Sequence, residues 1–255
     1  MTQAERRYWL IKSLLNERRQ AAVIPDDEAG QKRLLRSLFN IRMPQAVSGE
    51  FIEIQDAYLQ EETKKKGITD IQMLVPIQEG IYIWQGDITT LRCDAIVNAA
   101  NAQLLGCFCP CHGCIDNAIH TYSGVQLRLS CAAIMEGQME EEETGQAKIT
   151  PAYNLPCKYV LHTVGPIVTG RVTDKDIELL ASCYRSCLKL ADENHIRSIA
   201  FCCISTGEYY FPNDKAAEIA VRTVKAYKKA TNSNIGVIFN VFKDIDRELY
   251  EEVLG

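Results

Sequence analysis

The stretch GCFCPCHGC, from Gly106 to Cys114, places Cys107, Cys109, Cys111, His112 and Cys114 within eight residues. Thiolate and imidazole are the ligands Zn2+ favours in tetrahedral geometry, and a catalytic zinc site uses three protein ligands and keeps its fourth position open. Cys107, His112 and Cys114, spaced C-x4-H-x-C, supply such a Cys2His set. Two rival chemistries fit the same stretch. A closed site that adds Cys109 or Cys111 is structural, and free thiols do redox work.

Other groups able to do chemistry flank this stretch. Asp116 opens a helix two residues beyond Cys114. It is either a carboxylate favoured by the positive end of the helix dipole or a group that orients or deprotonates a water. His120 follows one helical turn later on the same face, as a support for Asp116 or as a packed histidine. Asn98 and Asn101 close a buried strand, DAIVNAAN, where a short amide reaches a ligand hydroxyl or, at Asn101, simply makes a turn. In STGEYYFP (205–212) the small residues Ser205, Thr206 and Gly207 let backbone N–H groups approach phosphates closely. The neighbouring Tyr209 and Tyr210 are candidates to wall a sugar. Cys183, Cys187, Cys202 and Cys203 read as small buried hydrophobes, and His162 and His195 have no partner visible in the sequence.

These groups sit at the ends of strands. Strand patterns (IYIWQ, DAIVNAA, KYVLHTVG, SIAFCCIS, NIGVIFNVF) alternate with helical ones (VQLRLSCAAIMEG, DIELLASCYRSCLKLADENH, DKAAEIAVRTVKAYKKAT, DIDRELYEEVL). That alternation predicts an α/β fold whose largely parallel sheet is covered on both faces, with ligands bound at the C-terminal strand ends. The near-continuous apolar runs DAIVNAA and SIAFCCIS suit central strands. Residues 1–75 read differently, as a helical extension before the main domain of 76–255. Tyr8, Ile11 and Leu15, with Leu10 and Leu14, form one apolar stripe; Leu34, Leu35, Leu38 and Phe39 form a second, and Phe51 to Leu59 a third. The stretch EETKKKG closes the extension, with Gly67 as its C-cap, and EEEETG later reads as a solvated acidic turn.

Composition narrows the partners. The net charge of −5 without a basic stripe argues against nucleic acid, whose binding rests on Lys and Arg neutralising phosphates. A small phosphorylated ligand remains compatible, because helix N-terminal amides bind pyrophosphate without a side-chain cation. No apolar run is long enough for a membrane span, and MTQAERRYWLIKSLLNERRQ is too interrupted by charge for a secretory signal. The expected compartment is the cytoplasm, where the eleven cysteines stay reduced.

Taken together, GDIT (86–89), DAIVNAAN, IDNAIH and ISTGEYYFP resemble the macrodomain family of ADP-ribose-binding modules, in order and spacing, over about residues 80–255. The pattern G-C-F-x-P-x-H-x-C-I-D replaces a glycine run and is similar to that of the zinc-containing bacterial subgroup, protein-ADP-ribose hydrolases with a helical extension before the macrodomain. The resemblance implies a three-layer α/β/α sandwich with a mixed, largely parallel sheet. It implies Zn2+ on Cys107, His112 and Cys114, with Cys109 and Cys111 at variable positions. It further implies Asp87 and the Ile88 backbone at adenine, with Phe242 stacking there or lying in the core. The pyrophosphate would lie between Ile115 at the helix start and Ser205, Thr206, Gly207, Glu208, Tyr209 and Tyr210, and the distal ribose at Asn98, Asn101 and Asp116. The expected activity is removal of ADP-ribose from a mono-ADP-ribosylated protein, with Asn101 and Asp116 catalytic. The alternative is a module that binds ADP-ribose without cleaving it.

Overall fold

A computed structural model describes residues 1–255. Three helices come first: α1 (Gln3–Glu17), α2 (Glu28–Ile41) and α3 (Gly49–Lys66). Each starts on a side-chain cap that satisfies a free N–H: Thr2 for α1, in a capping box with Glu5; Asp27 for α2; Ser48 for α3. Helix α3 ends at Gly67, whose φ of +88° is a backbone conformation that glycine adopts more readily than other residues. Leu10, Ile11, Leu14 and Leu15 pack on Leu35, Leu38, Phe39, Phe51, Tyr58 and Leu59. The expected stripe shifts by part of a turn, because Tyr8 faces solvent while Arg7 is buried.

The main domain then runs β1 (Thr69–Asp70), β2 (Ile81–Gln85), β3 (Leu91–Arg92), β4 (Ala95–Ala100), α4 (Ile115–Ser123), α5 (Val125–Gln138), β5 (Ala147–Pro151) and β6 (Tyr159–Val164). It continues α6 (Asp174–Glu193), β7 (Ser198–Phe201), α7 (Asn213–Thr231), β8 (Gly236–Val241) and α8 (Asp244–Leu254). The six-stranded sheet has the order β2-β8-β7-β4-β6-β5, parallel throughout except for β5 against β6. Strands β1 and β3 form a separate short pair. Helices α4 and α5 pack together beside the extension, and α6, α7 and α8 pack in a row. Strand β4, with β6 and β7 as neighbours, lies deep in the sheet, as its apolar run predicts.

The strand pattern did not anticipate β5, an edge strand that is half-exposed along most of its length and ends in Pro151. The SIAFCCIS strand is shorter than its apolar run, because the backbone turns after Phe201. The acidic turn is also not wholly solvated. Glu142 is buried, its amide donates to the Ala102 carbonyl and its carboxylate meets Lys148 Nζ at 3.1 Å.

The extension is fastened to the main domain by buried polar contacts as well as by packing. Gln55 of α3 accepts from the Val125 amide at 2.9 Å, and so caps α5 where Gly124 offers no side chain. Arg128 of α5 donates to the carbonyls of Phe39 and Arg42, the orphan acceptors at the end of α2. No helix is long and apolar enough to cross a membrane.

Candidate active site

Strands β2, β8, β7 and β4 are parallel neighbours, so their C-terminal ends lie side by side. In that order they deliver Asp87, Phe242, the 202–211 loop and the 101–114 loop. An extended ligand lying along this edge meets these groups in sequence.

At the β2 end, Asp87 opens a 3-10 turn, Ile88–Thr90, and its Oδ1 accepts from the Thr89 amide at 3.0 Å and the Thr89 hydroxyl at 2.6 Å. Oδ2 is held by Lys66 Nζ at 2.8 Å. Burial raises this carboxyl, but Lys66 and Thr89 outweigh it and hold it below the usual carboxylate range. Lys66 Nζ also stands 3.3 Å from the Tyr122 ring centroid. The Ile88 amide donates to no protein acceptor and so is free beside Asp87. Phe242 is 73% exposed, which removes the core reading and leaves a bare aromatic face at the end of β8.

The loop after β7 is shaped by two left-handed residues, Ser205 (φ +66°) and Tyr210 (φ +56°), and closed by the Phe211 amide donating to the Ser205 carbonyl at 3.0 Å. Between them the amides of Gly207, Glu208 and Tyr209 donate to no protein acceptor. Consecutive free N–H groups of this kind form an anion-binding nest. The Ser205 hydroxyl is buried and unpaired, whereas Thr206 spends its hydroxyl on the Cys203 carbonyl at 3.0 Å. Tyr210 is exposed and Tyr209 half-buried. Across from this loop, the Ile115 and Asp116 amides at the start of α4 are likewise free.

In the 101–114 loop, the donor atoms of Cys107, His112 and Cys114 all lie within 4.8 Å of one another. Cys107 Sγ and His112 Nδ1 are 3.7 Å apart. Tetrahedral Zn–S and Zn–N bonds of ordinary length place such a pair about 3.6 Å apart. The other imidazole nitrogen, Nε2, lies 3.5 Å from Oε1 of the exposed Glu208, close enough for that carboxylate to turn onto a metal-ligating histidine. Cys114 caps α4, its sulfur accepting from the Asn117 amide at 3.4 Å. Burial pushes the Cys114 thiol up to about 12, against the Asn117 amide, and nearby Cys107 and Asp116 add to the rise. A cation relieves such crowding of potential anions, so these residues fit Zn2+. Cys109 is exposed and outside the group, and Cys111 Sγ turns away to the Arg33 carbonyl at 3.3 Å. The donor set is therefore three-membered.

Behind the 101–114 loop lies a buried polar chain. Asn98 donates to Asp116 Oδ1 at 2.8 Å and meets His162 Nδ1 at 3.2 Å, its register partner on β6. His162 Nε2 lies 2.9 Å from the Thr150 hydroxyl and 3.7 Å from Cys131 Sγ. His120 Nε2 is 3.5 Å from Asp116 Oδ1. Burial raises Asp116 to about 6 against the pull of Asn98 and Arg128, and burial alone lowers His162 to about 4. His120, Cys131 and His162 also approach one another within 4.8 Å, but both ring nitrogens of His162 already have polar partners.

Two residues gain partners here. Asn98 is fully buried and donates to Asp116 Oδ1, so here it supports that carboxylate, while its own amide oxygen has no protein donor. His162, without visible partners in the sequence, is the next member of that chain. Asn101 is used in its turn, accepting from Gln103 N at 3.1 Å and donating to the Gly106 carbonyl at 3.2 Å. One further hydrogen-bonding position remains at each end of its amide. Lys66, Arg36 and Asn117 also reach the site. The first belongs to the KKK run and the last to IDNAIH, while no motif marked Arg36.

Residues 97–220 match the Macro domain family. The chain is 58% identical over 261 residues to a protein-ADP-ribose hydrolase of Treponema medium, covering 100% of both chains. It is 51% identical over 251 residues to the enzyme of that name from Staphylococcus aureus, covering 97% of this chain and 94% of the other. Among solved structures, it is similar to a Trypanosoma brucei macrodomain in complex with ADP-ribose, with a TM-score of 0.67, 30% identity and coverage of 86% and 95%. An Oceanobacillus iheyensis macrodomain mutant with ADPR gives a TM-score of 0.63, 36% identity and coverage of 71% and 96%.

Proposed function

We propose, since this chain belongs to the macrodomain family, that it is a hydrolase that releases mono-ADP-ribose from a modified protein side chain. The observation that carries this reading is the order of groups along the strand ends. A carboxylate with a free amide beside it comes first, then a nest of free amides, then a buried carboxylate next to a Cys2His set. That order matches adenine, pyrophosphate and distal ribose in turn.

Adenine is held by Asp87 and the Ile88 amide, with Phe242 presenting its open face. The pyrophosphate lies between the amides of Gly207, Glu208 and Tyr209 and those of Ile115 and Asp116, so backbone dipoles neutralise it where the chain offers few cations. This places the anomeric carbon of the distal ribose at the Asn101 and Asp116 end. In hydrolysis the water oxygen bonds to that carbon, the bond to the side-chain heteroatom breaks, and the leaving group gains a proton. Asp116 is built to hold and move that proton. Asn98 fixes Oδ1, while Oδ2 has no protein donor, and a carboxyl pushed up to about 6 exchanges protons readily near neutrality. Cys107, His112 and Cys114 would hold Zn2+, which supplies Lewis acidity toward an oxygen of the ribose or of water. The three-membered donor set and the Glu208 contact to His112 support that assignment. All eleven cysteines are free, which suits work in a reducing compartment such as the cytoplasm.

The test is release of ADP-ribose from a mono-ADP-ribosylated protein by the full chain, with and without chelation, beside calorimetric binding of free ADP-ribose. The expected result is release that chelation abolishes and Zn2+ restores, and a Cys107→Ala variant that binds ADP-ribose but releases none. Tight binding without release by the metal-loaded wild type would make the protein a reader of ADP-ribose. Release indifferent to chelation would keep the hydrolase and remove the zinc.

A further inference from the structure

Arg36 lies in α2, outside every motif that marks the site. Its Nη2 donates to the His112 carbonyl at 2.9 Å and to Asn117 Oδ1 at 2.8 Å, and its Nε reaches the same Oδ1 at 3.2 Å. Asn117 is fully buried and turns its amide nitrogen to the carbonyls of Cys109 at 3.0 Å and Cys107 at 3.5 Å. One turn along α2, the buried Asn40 accepts from the Cys111 amide at 2.8 Å and donates to the Thr121 hydroxyl at 2.9 Å. Cys111 holds the left-handed conformation (φ +54°), which a non-glycine residue keeps only where its surroundings impose it. The end of α2 is in turn fixed by Arg128, which also donates to Leu105 in the same loop at 2.6 Å.

The backbone of the metal loop is thus held at residues 107, 109, 111 and 112 from outside the loop, and the helical extension supplies the contacts at 111 and 112. Without them a loop containing Gly106 and Gly113 would have to be ordered as metal binds, at a cost in conformational entropy for each residue fixed. Arginine suits the role because its planar fork meets a carbonyl and an amide oxygen together, which an ammonium does not.

We propose that Arg36 and Asn40 are positioning residues of the metal site, setting the Cys107 and His112 donors before the ion arrives, so that the helical extension forms part of the active site. This rests on reading Cys107, His112 and Cys114 as zinc ligands. The extension then has a catalytic consequence although none of its own side chains touches the reacting atoms.

The experiment measures zinc affinity of the full chain by competition with a chelating indicator, for wild type, Arg36→Lys, Arg36→Ala, Asn40→Ala and Leu14→Ala. Each is paired with a melting curve and the visible spectrum of the Co2+-loaded form. Leu14 lies in the core of the extension, so Leu14→Ala lowers the melting temperature without touching the loop. The expected result is a loss of zinc affinity of about 10–100-fold for both Arg36 variants and for Asn40→Ala, with an altered Co2+ spectrum. Leu14→Ala should melt earlier than Arg36→Lys yet keep wild-type zinc affinity. Zinc affinity of Arg36→Lys equal to that of wild type would overturn the proposal, as would an equal loss in Leu14→Ala. A wild-type chain that takes up no zinc overturns the ligand reading itself, and that outcome is recognised before any variant is compared.

Discussion

The two ends of the cleft are built in opposite ways. At the end proposed for adenine, Asp87 is partly exposed, its partner Lys66 reaches in from another element, and Phe242 stands open to solvent. At the distal end, Asp116 is buried and fixed through Asn98 and His162 to Thr150, while the 101–114 loop is gripped by α2. An exposed end tolerates change and contributes through surface contacts worth little each. A buried hydrogen-bonded chain is costly to disturb and holds its groups in one geometry, as catalysis requires. The contrast predicts that chemistry fails when the distal end is altered, whereas only affinity shifts when the adenine end is.

The largest effect should come from Asp116→Asn. The variant keeps the shape and still accepts from Asn98, but it removes the ionisable oxygen. We expect kcat to fall about 10²–10⁴-fold, the usual worth of a general acid or base, while calorimetric affinity for ADP-ribose is unchanged. If binding and turnover fell together, Asp116 would be holding substrate rather than moving a proton, and the two ends would differ in degree only.

Next comes the pH dependence of stability. His162 faces Asn98, Thr150 and Cys131, with the His120 ring 6.2 Å away and Asp116 beyond Asn98. Burial holds its folded pKa at about 4, below the unfolded value near 6.5, so the folded state binds fewer protons at acid pH. Its contribution is complete above pH 6.5 and is lost as pH falls from there through 4, about 3 kcal/mol in all. His162→Gln keeps a hydrogen-bonding side chain without the titration. Urea unfolding of both proteins between pH 7 and pH 4 isolates the term, because Asp116 and His120 titrate in each. The difference in pH dependence should be close to that figure; parallel curves would mean the chain behind Asp116 is not a buried neutral one.

How much of this was legible in the sequence follows the same division. The strand ends, their order and the grouping of Cys107, His112 and Cys114 announce themselves as local patterns, since GDIT, NAAN and C-x4-H-x-C each lie within a few residues. What supports them does not. Asn98 and His162 are 64 residues apart, and Arg36 and Asn117 are 81 apart; each pair is joined only by the tertiary fold. The Asn98–Asp116 contact is hidden for that reason: a polar residue within an apolar strand looks the same whether it faces a ligand or a buried carboxylate. Phe242 was undecided because an aromatic at the end of β8 sits at the boundary of the core, and only the fold settles its exposure. The extension carried ordinary amphipathic helices, and nothing in a 3.6-residue period distinguishes Arg36 from any solvated arginine.

The smallest effect tests the exposed end. Lys66 occupies Asp87 Oδ2, the oxygen that the adenine amino group would otherwise have to itself. Lys66→Met preserves the contact over Tyr122 as an apolar one and releases the carboxylate. The pair is partly exposed, which limits its worth to about 0–1 kcal/mol, so ADP-ribose should bind up to about fivefold more tightly while kcat stays the same. Since salt screens the Lys66–Asp87 attraction in the wild type, the advantage of the variant should shrink as ionic strength rises. Weaker binding by Lys66→Met would reverse the sign: the lysine would then be a ligand contact in its own right, and the adenine end, like the distal one, would depend on a residue of the extension.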